Sequence, residues 1–133
     1  MPTTSIQLDN ELDLALLSVD DLPGFERLRI SLTDPVVGDS VFVSGNPSGL
    51  QGSFSQGIVS GIRQVGRCRL LQITAPISPG SSGGPVVNTN CGVVGVAVSQ
   101  VANGQNLNFA VHVMDLRSFL CRFGEITPAT PNR

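Results

Sequence analysis

The sequence predicts an all-β fold, a sandwich or barrel of antiparallel strands, followed by a single α-helix near the C-terminus. The 15 glycines and 9 prolines are spread between short runs of Val, Ile and Leu instead of forming one linker, as expected for many strands joined by turns. With 41% hydrophobic and 14% charged residues, the 133-residue chain has the composition of one folded domain, because disordered chains combine low hydrophobicity with high net charge.

Two candidate strands precede the main group. Residues 13–19 (DLALLSV) are mostly apolar, which fits a buried strand and would also fit a short helix. Residues 20–24 form a turn cluster, and residues 27–32 (RLRISL) alternate charged with aliphatic side chains. That alternation is typical of a strand with one solvated face.

The main group consists of short runs rich in β-branched and aromatic residues, each bounded by Gly, Asn or Pro. They are residues 40–44, 53–62, 69–75, 85–88, 92–99 and 107–113. Their number and spacing predict the sandwich or barrel.

One helix is predicted after the last run. Asp115 can cap its N-terminus, and apolar side chains recur at helical spacing before Gly124, at Leu116, Phe119, Leu120 and Phe123. Residues 125–133 contain two prolines and are predicted to form a tail.

Charge and composition exclude several classes of partner. The net charge is −2 and the 8 Lys and Arg residues form no cluster, so neither nucleic acid nor an anionic membrane is an expected partner. No apolar run approaches the roughly 20 residues of a membrane span, and residues 1–10 lack the features of a signal peptide. The sequence does not indicate a cellular compartment. A peptide or small-molecule substrate is expected.

The three cysteines, Cys68, Cys91 and Cys121, are an odd number without CxxC spacing. Neither a disulfide framework nor a zinc site is indicated. Buried free thiols are expected, with one bridge left open as an alternative.

The chemically informative segment is residues 79–85 (PGSSGGP), directly before an apolar strand. On composition alone such a segment is most often a flexible turn. Glycines also permit positive φ and close backbone approach, so a serine on this bend can expose its hydroxyl beside converging N–H groups. Acyl transfer needs that arrangement.

This segment and its flanks resemble the trypsin-like serine proteases of the HtrA (Deg) type. The family motif GNSGGP corresponds to GSSGGP, and Ser82 stands at the nucleophile position. Upstream, residues 37–63 follow the family's VGD…GNP.GL…GIVS pattern, and downstream GVVGVAVSQ and LNFAV follow in the family's order. Ser81 and Thr74 replace the common Asn and Asp, which leaves the nucleophile unchanged.

The resemblance implies a role for each site residue. Ser82 would attack the peptide carbonyl, the N–H groups of Gly80 and Ser82 would hold the oxyanion, and Asp13 of DLALL would orient the catalytic imidazole. Asp13 could otherwise be a surface residue at the start of a strand. Residues 73–80 and 98–100 would form the pocket walls, with substrate contacts from Ile77, Val98, Ser99 and Gln100. Neither wall carries an acidic residue, which favours a small aliphatic side chain before the scissile bond. No metal or cofactor is required.

The resemblance also implies an incomplete domain. Residues 35–124 would form the six-stranded antiparallel Greek-key barrel that is the second half of a chymotrypsin-like double barrel, with its terminal helix. Residues 1–34 would be a remnant of the first barrel and the linker. Without its partners, the strand at 13–19 would be displaced or paired abnormally, and its unpaired edge would be prone to self-association.

The single histidine, His112, matches no catalytic position, because the family usually has proline there. A histidine between a strand and a helix is most often a satisfied structural residue or a surface residue. Two functions therefore stay open. One is a serine endopeptidase acting on peptides or unfolded proteins, inactive as this chain alone. The other is a non-catalytic pseudoprotease or fragment that at most binds peptides.

Overall fold

A computed structural model describes residues 3–19, 27–45, 53–77, 81–102 and 105–124. These residues form β-strands and one terminal helix. In chain order the elements are β1 (Thr3–Asp9), β2 (Leu14–Val19), β3 (Arg29–Ile30), β4 (Ser40–Gly45), β5 (Ser53–Val65), β6 (Cys68–Ile73), β7 (Pro85–Val87), β8 (Gly92–Ala102), β9 (Gln105–His112) and α1 (Val113–Arg122).

Six strands close into an antiparallel barrel in the order β4-β5-β6-β9-β8-β7, with β7 pairing back to β4. The steps from β6 to β9 and from β7 to β4 join strands that are not consecutive in sequence, as in a Greek key. The two-residue strand β3 adds to β8 in parallel. The predicted six-stranded barrel with its terminal helix is confirmed, although β3 is shorter than the alternation over 27–32 suggested.

Small aliphatic side chains fill the barrel interior. They belong to Val41, Val43, Val59, Leu71, Ile73, Ala75, Val86, Val94, Ala97 and Ala110, and most alternate along their strands as a half-buried sheet requires. Gly95 lets β8 and β9 approach each other closely, since a Cβ there would lie 2.7 Å from the carbonyl oxygen of Val111.

A second apolar cluster lies on the outside of the barrel, where α1 and the β1–β2 hairpin cover β8 and β9. Its buried members are Leu14, Val93, Val111, Leu116 and Phe119. A bulge in β8 lets this strand contribute side chains to both clusters. Val86 of β7 pairs with Gly95, and the next residue, Val87, pairs with Val93, so β8 has one extra residue between these pairs. The extra residue, Val94, belongs to the interior cluster and Val93 to the outer one.

Strand β2 has a partner, so the prediction of an unpaired strand at 13–19 is wrong for one of its edges. Strand β1 pairs with it in a separate two-stranded antiparallel sheet, with Ile6 opposite Leu17 and Asp9 opposite Leu14. The sequence TTSIQLD is mostly polar, and for this reason no strand was predicted there. Only one face of it carries apolar side chains, and that face is exposed.

Helix α1 is capped by His112 and not by Asp115, which corrects the predicted cap. The Nδ1 atom of His112 accepts the N–H of Met114 at 2.9 Å, and the side chain is 3% exposed. Asp115 lies in the first turn and accepts the backbone N–H of Arg69 at 2.7 Å. The structural role predicted for the single histidine is confirmed.

The C-terminal end of α1 is as predicted. Gly124 has a φ of 78°, and its N–H donates to the carbonyl of Cys121 at 3.0 Å. Across the described ranges, no helix has the length and apolarity needed to cross a membrane.

The capping role of His112 predicts a pH-dependent stability. Burial lowers the pKa of the imidazole below its ordinary value. Unfolding therefore takes up a proton as the pH falls below about 6.5, and the free energy of unfolding should decrease over that range. The variant His112→Asn keeps a good capping oxygen but does not titrate, so it should lose this pH dependence. The variant His112→Ala should lose about 0.5–2 kcal/mol at neutral pH as well.

Urea unfolding of the three proteins at a series of pH values measures both effects. The same decrease in wild type and in His112→Asn would show that another group causes the pH dependence.

Candidate functional site

Ser82 occupies an exposed position in the turn directly before β7. The N–H of Gly83 donates to the carbonyl of Ala97 at 2.8 Å, and the N–H of Ala97 donates to the carbonyl of Gly84 at 2.9 Å. These bonds extend the pairing of β7 with β8 into the turn. The N–H of Gly84 also donates to the carbonyl of Ser81 at 3.0 Å, which closes the turn. The backbone around Ser82 is therefore fixed to the barrel.

Both glycines after Ser82 are needed for this conformation. Gly83 has a φ of 90°, in the region that residues with a Cβ rarely adopt. A Cβ on Gly84 would lie 2.4 Å from the carbonyl oxygen of Ser44, at the end of β4. Glycine is thus required at Gly83 by a positive φ and at Gly84 by a close backbone approach, the two properties of glycine on which the sequence prediction rested.

Only part of the predicted oxyanion hole can be located. Ser82 lies in the turn just described, whereas Gly80 falls outside the described residues. The chain leading toward Gly80 is held firmly up to Ile77. The N–H of Ile58 donates to Oγ1 of Thr74 at 2.8 Å, and the hydroxyl of Ser55 donates to the carbonyl of Pro76 at 2.8 Å.

The predicted substrate-contacting residues lie on two segments that meet at β9, because Ile77 is hydrogen-bonded to Asn108, which lies opposite Ser99 of β8. Ile77 is partly buried against the interior cluster, and its N–H donates to Oδ1 of Asn108 at 3.3 Å. Val98 is partly buried in the outer cluster, with the hairpin and α1. Ser99 and Gln100 continue β8 beyond Val98 and pair with β9.

Asp13 lies in the turn between β1 and β2, in the two-stranded sheet. It is exposed and has a φ of 61°, a left-handed conformation that Asp tolerates better than most residues. The next residue, Leu14, is 8% exposed and belongs to the outer cluster, as Val98 does. Ser82 is thus held on β8 through backbone hydrogen bonds of its turn, whereas Asp13 is held through the packing of the neighbouring Leu14 in the outer cluster.

Two further groups of candidate residues are not set up for chemistry. All three cysteines are free, as expected, but the expected burial is wrong, since Cys91 is exposed and Cys68 and Cys121 are half-buried. Desolvation raises the pKa of the Cys68 thiol, which donates to the carbonyl of Glu11 at 3.1 Å. In the part of the chain that the structure describes, no three His, Cys, Asp or Glu side chains are grouped as metal ligands.

Sequence reasoning missed Asp9, whose Oδ1 accepts the N–H of Leu12 at 3.0 Å. This carboxylate folds the turn that carries Asp13. An Asp followed by Asn and a second acidic residue is a turn signal. It was present in DNELD, at residues 9–13, and could have revealed the hairpin.

Known proteins share the sequence pattern and the fold of this chain. The sequence pattern of the trypsin-like peptidase domain matches residues 1–96. The putative serine protease HhoB of Synechocystis sp. is 34% identical over 116 residues, covering 80% of this chain and 27% of that protein. This chain therefore spans about a quarter of that relative's length.

Two solved structures share the fold. The MamO protease domain from Magnetospirillum magneticum gives a TM-score of 0.73 at 26% identity, covering 90% of this chain and 67% of that one. The serine endoprotease from Yersinia pestis gives a TM-score of 0.71 at 31% identity, covering 88% of this chain and 42% of that one.

The close approach at Gly84 predicts the result of a substitution. In Gly84→Ala the new Cβ must displace the Ser44 backbone, which should cost about 1–3 kcal/mol of unfolding free energy. Because the carbonyl of Gly84 accepts the N–H of Ala97, amide exchange at Ala97 should accelerate by more than the global loss of stability explains.

Gly66→Ala is the matched control for this substitution. Gly66 has a φ of 62° with no heavy atom within 4 Å of a built Cβ, so alanine there costs only the torsional strain of about 1–2 kcal/mol. Urea unfolding and amide exchange would be measured on both variants. Unchanged exchange at Ala97 in Gly84→Ala would show that the turn tolerates a Cβ.

Proposed function

This chain belongs to the trypsin-like peptidase domain family and is of the HtrA type, and from that premise we propose that it is the Ser82-bearing part of a serine endopeptidase. The single observation that carries the proposal is the exposed Ser82 on a turn fixed to β8, followed by a positive-φ glycine. A loop of random conformation would not require glycine at Gly83 or at Gly84.

In the proposed reaction the Oγ of Ser82 attacks a peptide carbonyl, while a histidine removes the hydroxyl proton and later donates it to the leaving amine. The N–H groups of Gly80 and Ser82 stabilise the oxyanion. Asp13 orients the imidazole. Water then releases the acyl group from Ser82. The substrate is a peptide or an unfolded protein.

We further propose that the histidine is supplied by polypeptide outside these 133 residues. His112 is the only histidine in the sequence, its Nδ1 is occupied as the helix cap, and its side chain is buried. Residues 35–124 are then the second barrel with its helix, and residues 1–34 are what this chain contributes to the first barrel and the linker.

The second candidate is a non-catalytic module that binds peptides without cleaving them, and the use of the only histidine as a helix cap favours it. The two functions predict different results when a histidine-bearing segment is joined to this chain. A preceding segment with a histidine, joined to this chain as encoded, would produce hydrolysis that depends on Ser82 in the first case and none in the second.

The proposal predicts that the purified chain alone hydrolyses no peptide detectably and that Ser82 is little labelled by a fluorophosphonate. A serine without a positioned base is a weak nucleophile, and general-base catalysis typically contributes about 10²–10⁴-fold. A fluorogenic peptide assay and gel detection of the probe would measure both, with Ser82→Ala as the background.

Robust hydrolysis that disappears in Ser82→Ala and in the correctly folded variant His112→Asn would overturn this assignment. It would make His112 the base.

Self-association through the hairpin is a further proposal. The outer face of the hairpin exposes Ile6, Leu8 and Leu17 by 56%, 63% and 52%, and the sheet has two strands, so each strand has an open edge within the described residues. A second copy of this chain can cover that face and edge.

Sedimentation velocity at rising protein concentration should therefore show a dimer or larger species. Leu17→Lys should weaken this association. Ile58→Lys, on the barrel strand β5 with 43% exposure, serves as the control and should not. A monomer at every concentration, or equal effects of the two variants, would refute the proposal.

A further inference from the structure

The hairpin that carries Asp13 is attached to the barrel without any shared sheet. Its two strands pair only with each other among the described elements. An isolated two-stranded hairpin is at best marginally stable in water. The position of Asp13 therefore depends on side-chain contacts between the hairpin and the rest of the molecule.

Asp9 makes the most directed of these contacts. One carboxylate oxygen, Oδ1, accepts the N–H of Leu12 and so fixes the turn before Asp13. The other, Oδ2, accepts a hydrogen bond from the guanidinium of Arg122 at the end of α1. The side chain of Asp9 is only 13% exposed, whereas that of Arg122 is 53% exposed. A single carboxylate thus joins the shape of the turn to the helix.

Arg122 is itself held in place by two aromatic rings. Its guanidinium carbon lies 5.6 Å from the ring centre of Phe119 and 5.1 Å from that of Phe123. Phe119 is 2% exposed and shares the outer cluster with Leu14. An arginine stacked in this way is ordered before it meets its carboxylate, so less side-chain entropy is lost in the ion pair.

We propose that Arg122 is a positioning residue for Asp13. Through Asp9 it holds the β1–β2 turn on the C-terminal end of α1 and so fixes where the Asp13 carboxylate lies. The catalytic meaning of this contact rests on the role proposed above for Asp13, but the contact itself does not.

The neighbouring ion pair between Arg67 and Glu11 cannot serve the same purpose. Its shortest distance is 3.9 Å, and the two side chains are 87% and 53% exposed. Exposed pairs of this kind contribute little, because water and salt screen them and both side chains are mobile. Arg67 is therefore the matched control, an arginine that pairs with an acidic residue of the same turn.

The charged contact gives the hairpin a pH dependence with a defined sign. The hydrogen bond from Arg122 is the main reason that the pKa of Asp9 lies below its ordinary value. Protonation of Asp9 therefore opposes docking, so the hairpin stays docked above the ordinary pKa and is released as the pH falls through the lowered one. The other groups near Asp9 are Glu11 on its own turn and the Cys68 thiol of β6.

The test is amide exchange and methyl NMR on the 133-residue chain. In Arg122→Ala, amide exchange in β1 and β2 should accelerate about 3- to 10-fold, contacts between the Leu14 methyls and the Phe119 ring should weaken, and exchange at Ala97 in the barrel should not change. Arg122→Lys should restore part of the protection, because it keeps the ion pair and loses the planar stacking. Arg67→Ala should match the wild type.

The acid-induced loss of the Leu14 to Phe119 contact should be seen in the wild type and absent as a separate step in Arg122→Ala and Asp9→Asn. Equal exchange in Arg122→Ala and Arg67→Ala, or no rescue by lysine, would overturn the proposal.

The outcome is separate from that of the proposed function. Asp13→Asn tolerates the same left-handed conformation and should leave the hairpin docked. If the hairpin opens in Arg122→Ala, the positioning contact stands even where Asp13→Asn shows that Asp13 orients no base.

Discussion

Over residues 92–98, strand β8 contributes side chains to apolar clusters on both of its faces, and the rest of the structure depends on that constraint. One face contributes Val94 and Ala97 to the barrel interior, and the other contributes Val93 to the cluster beneath α1 and the hairpin. A strand with two buried faces has to be apolar almost throughout. The run GVVGVAV at residues 92–98 has that character. The Ser82 turn is hydrogen-bonded to the same strand at Ala97, so the core and the candidate site share one element.

The two candidate catalytic residues are held in place by forces of different kinds. The Ser82 turn is fixed by backbone hydrogen bonds that continue a barrel ladder, and steric exclusion at Gly84 adds to them. Asp13 is fixed by the burial of Leu14 and by the side-chain contacts of Asp9. Backbone ladders open with the barrel as a whole, whereas side-chain contacts can open locally. Ser82 is therefore the more rigidly held of the two residues, and the position of Asp13 depends on how the hairpin is attached.

The sequence predicted the features that depend on local chemistry. The barrel strands follow from short β-branched runs between turn residues, and the end of α1 follows from Gly124 and its positive φ. Apart from the Asp9 turn, whose signal is local, the features that were missed depend on contacts with other elements. Strand β1 exists because β2 pairs with it and the barrel covers one face of the resulting hairpin. Asp115 does not cap the helix, because its carboxylate accepts the backbone N–H of Arg69, which is remote in sequence. His112 caps the helix instead.

The candidate site shows the same division. The glycines after Ser82 carry their conformational requirement in their residue type, so the motif alone indicated the turn. The Arg122 contact could not be read in that way, since Asp9 and Arg122 lie at opposite ends of the chain and meet only once the outer cluster has formed.

The position of His112 connects the fold to the chemistry. A base must have a free nitrogen within hydrogen-bond reach of the serine and must be able to gain a proton in the transition state. In His112 one nitrogen is committed to the N–H of Met114, and burial opposes the gain of a proton. Protonation there would also place a positive charge at a helix N-terminus, where the helix dipole disfavours it. The features that make this histidine a good structural cap are thus the ones that make it a poor base. For this reason the proposed mechanism takes its imidazole from polypeptide outside the 133 residues and not from His112.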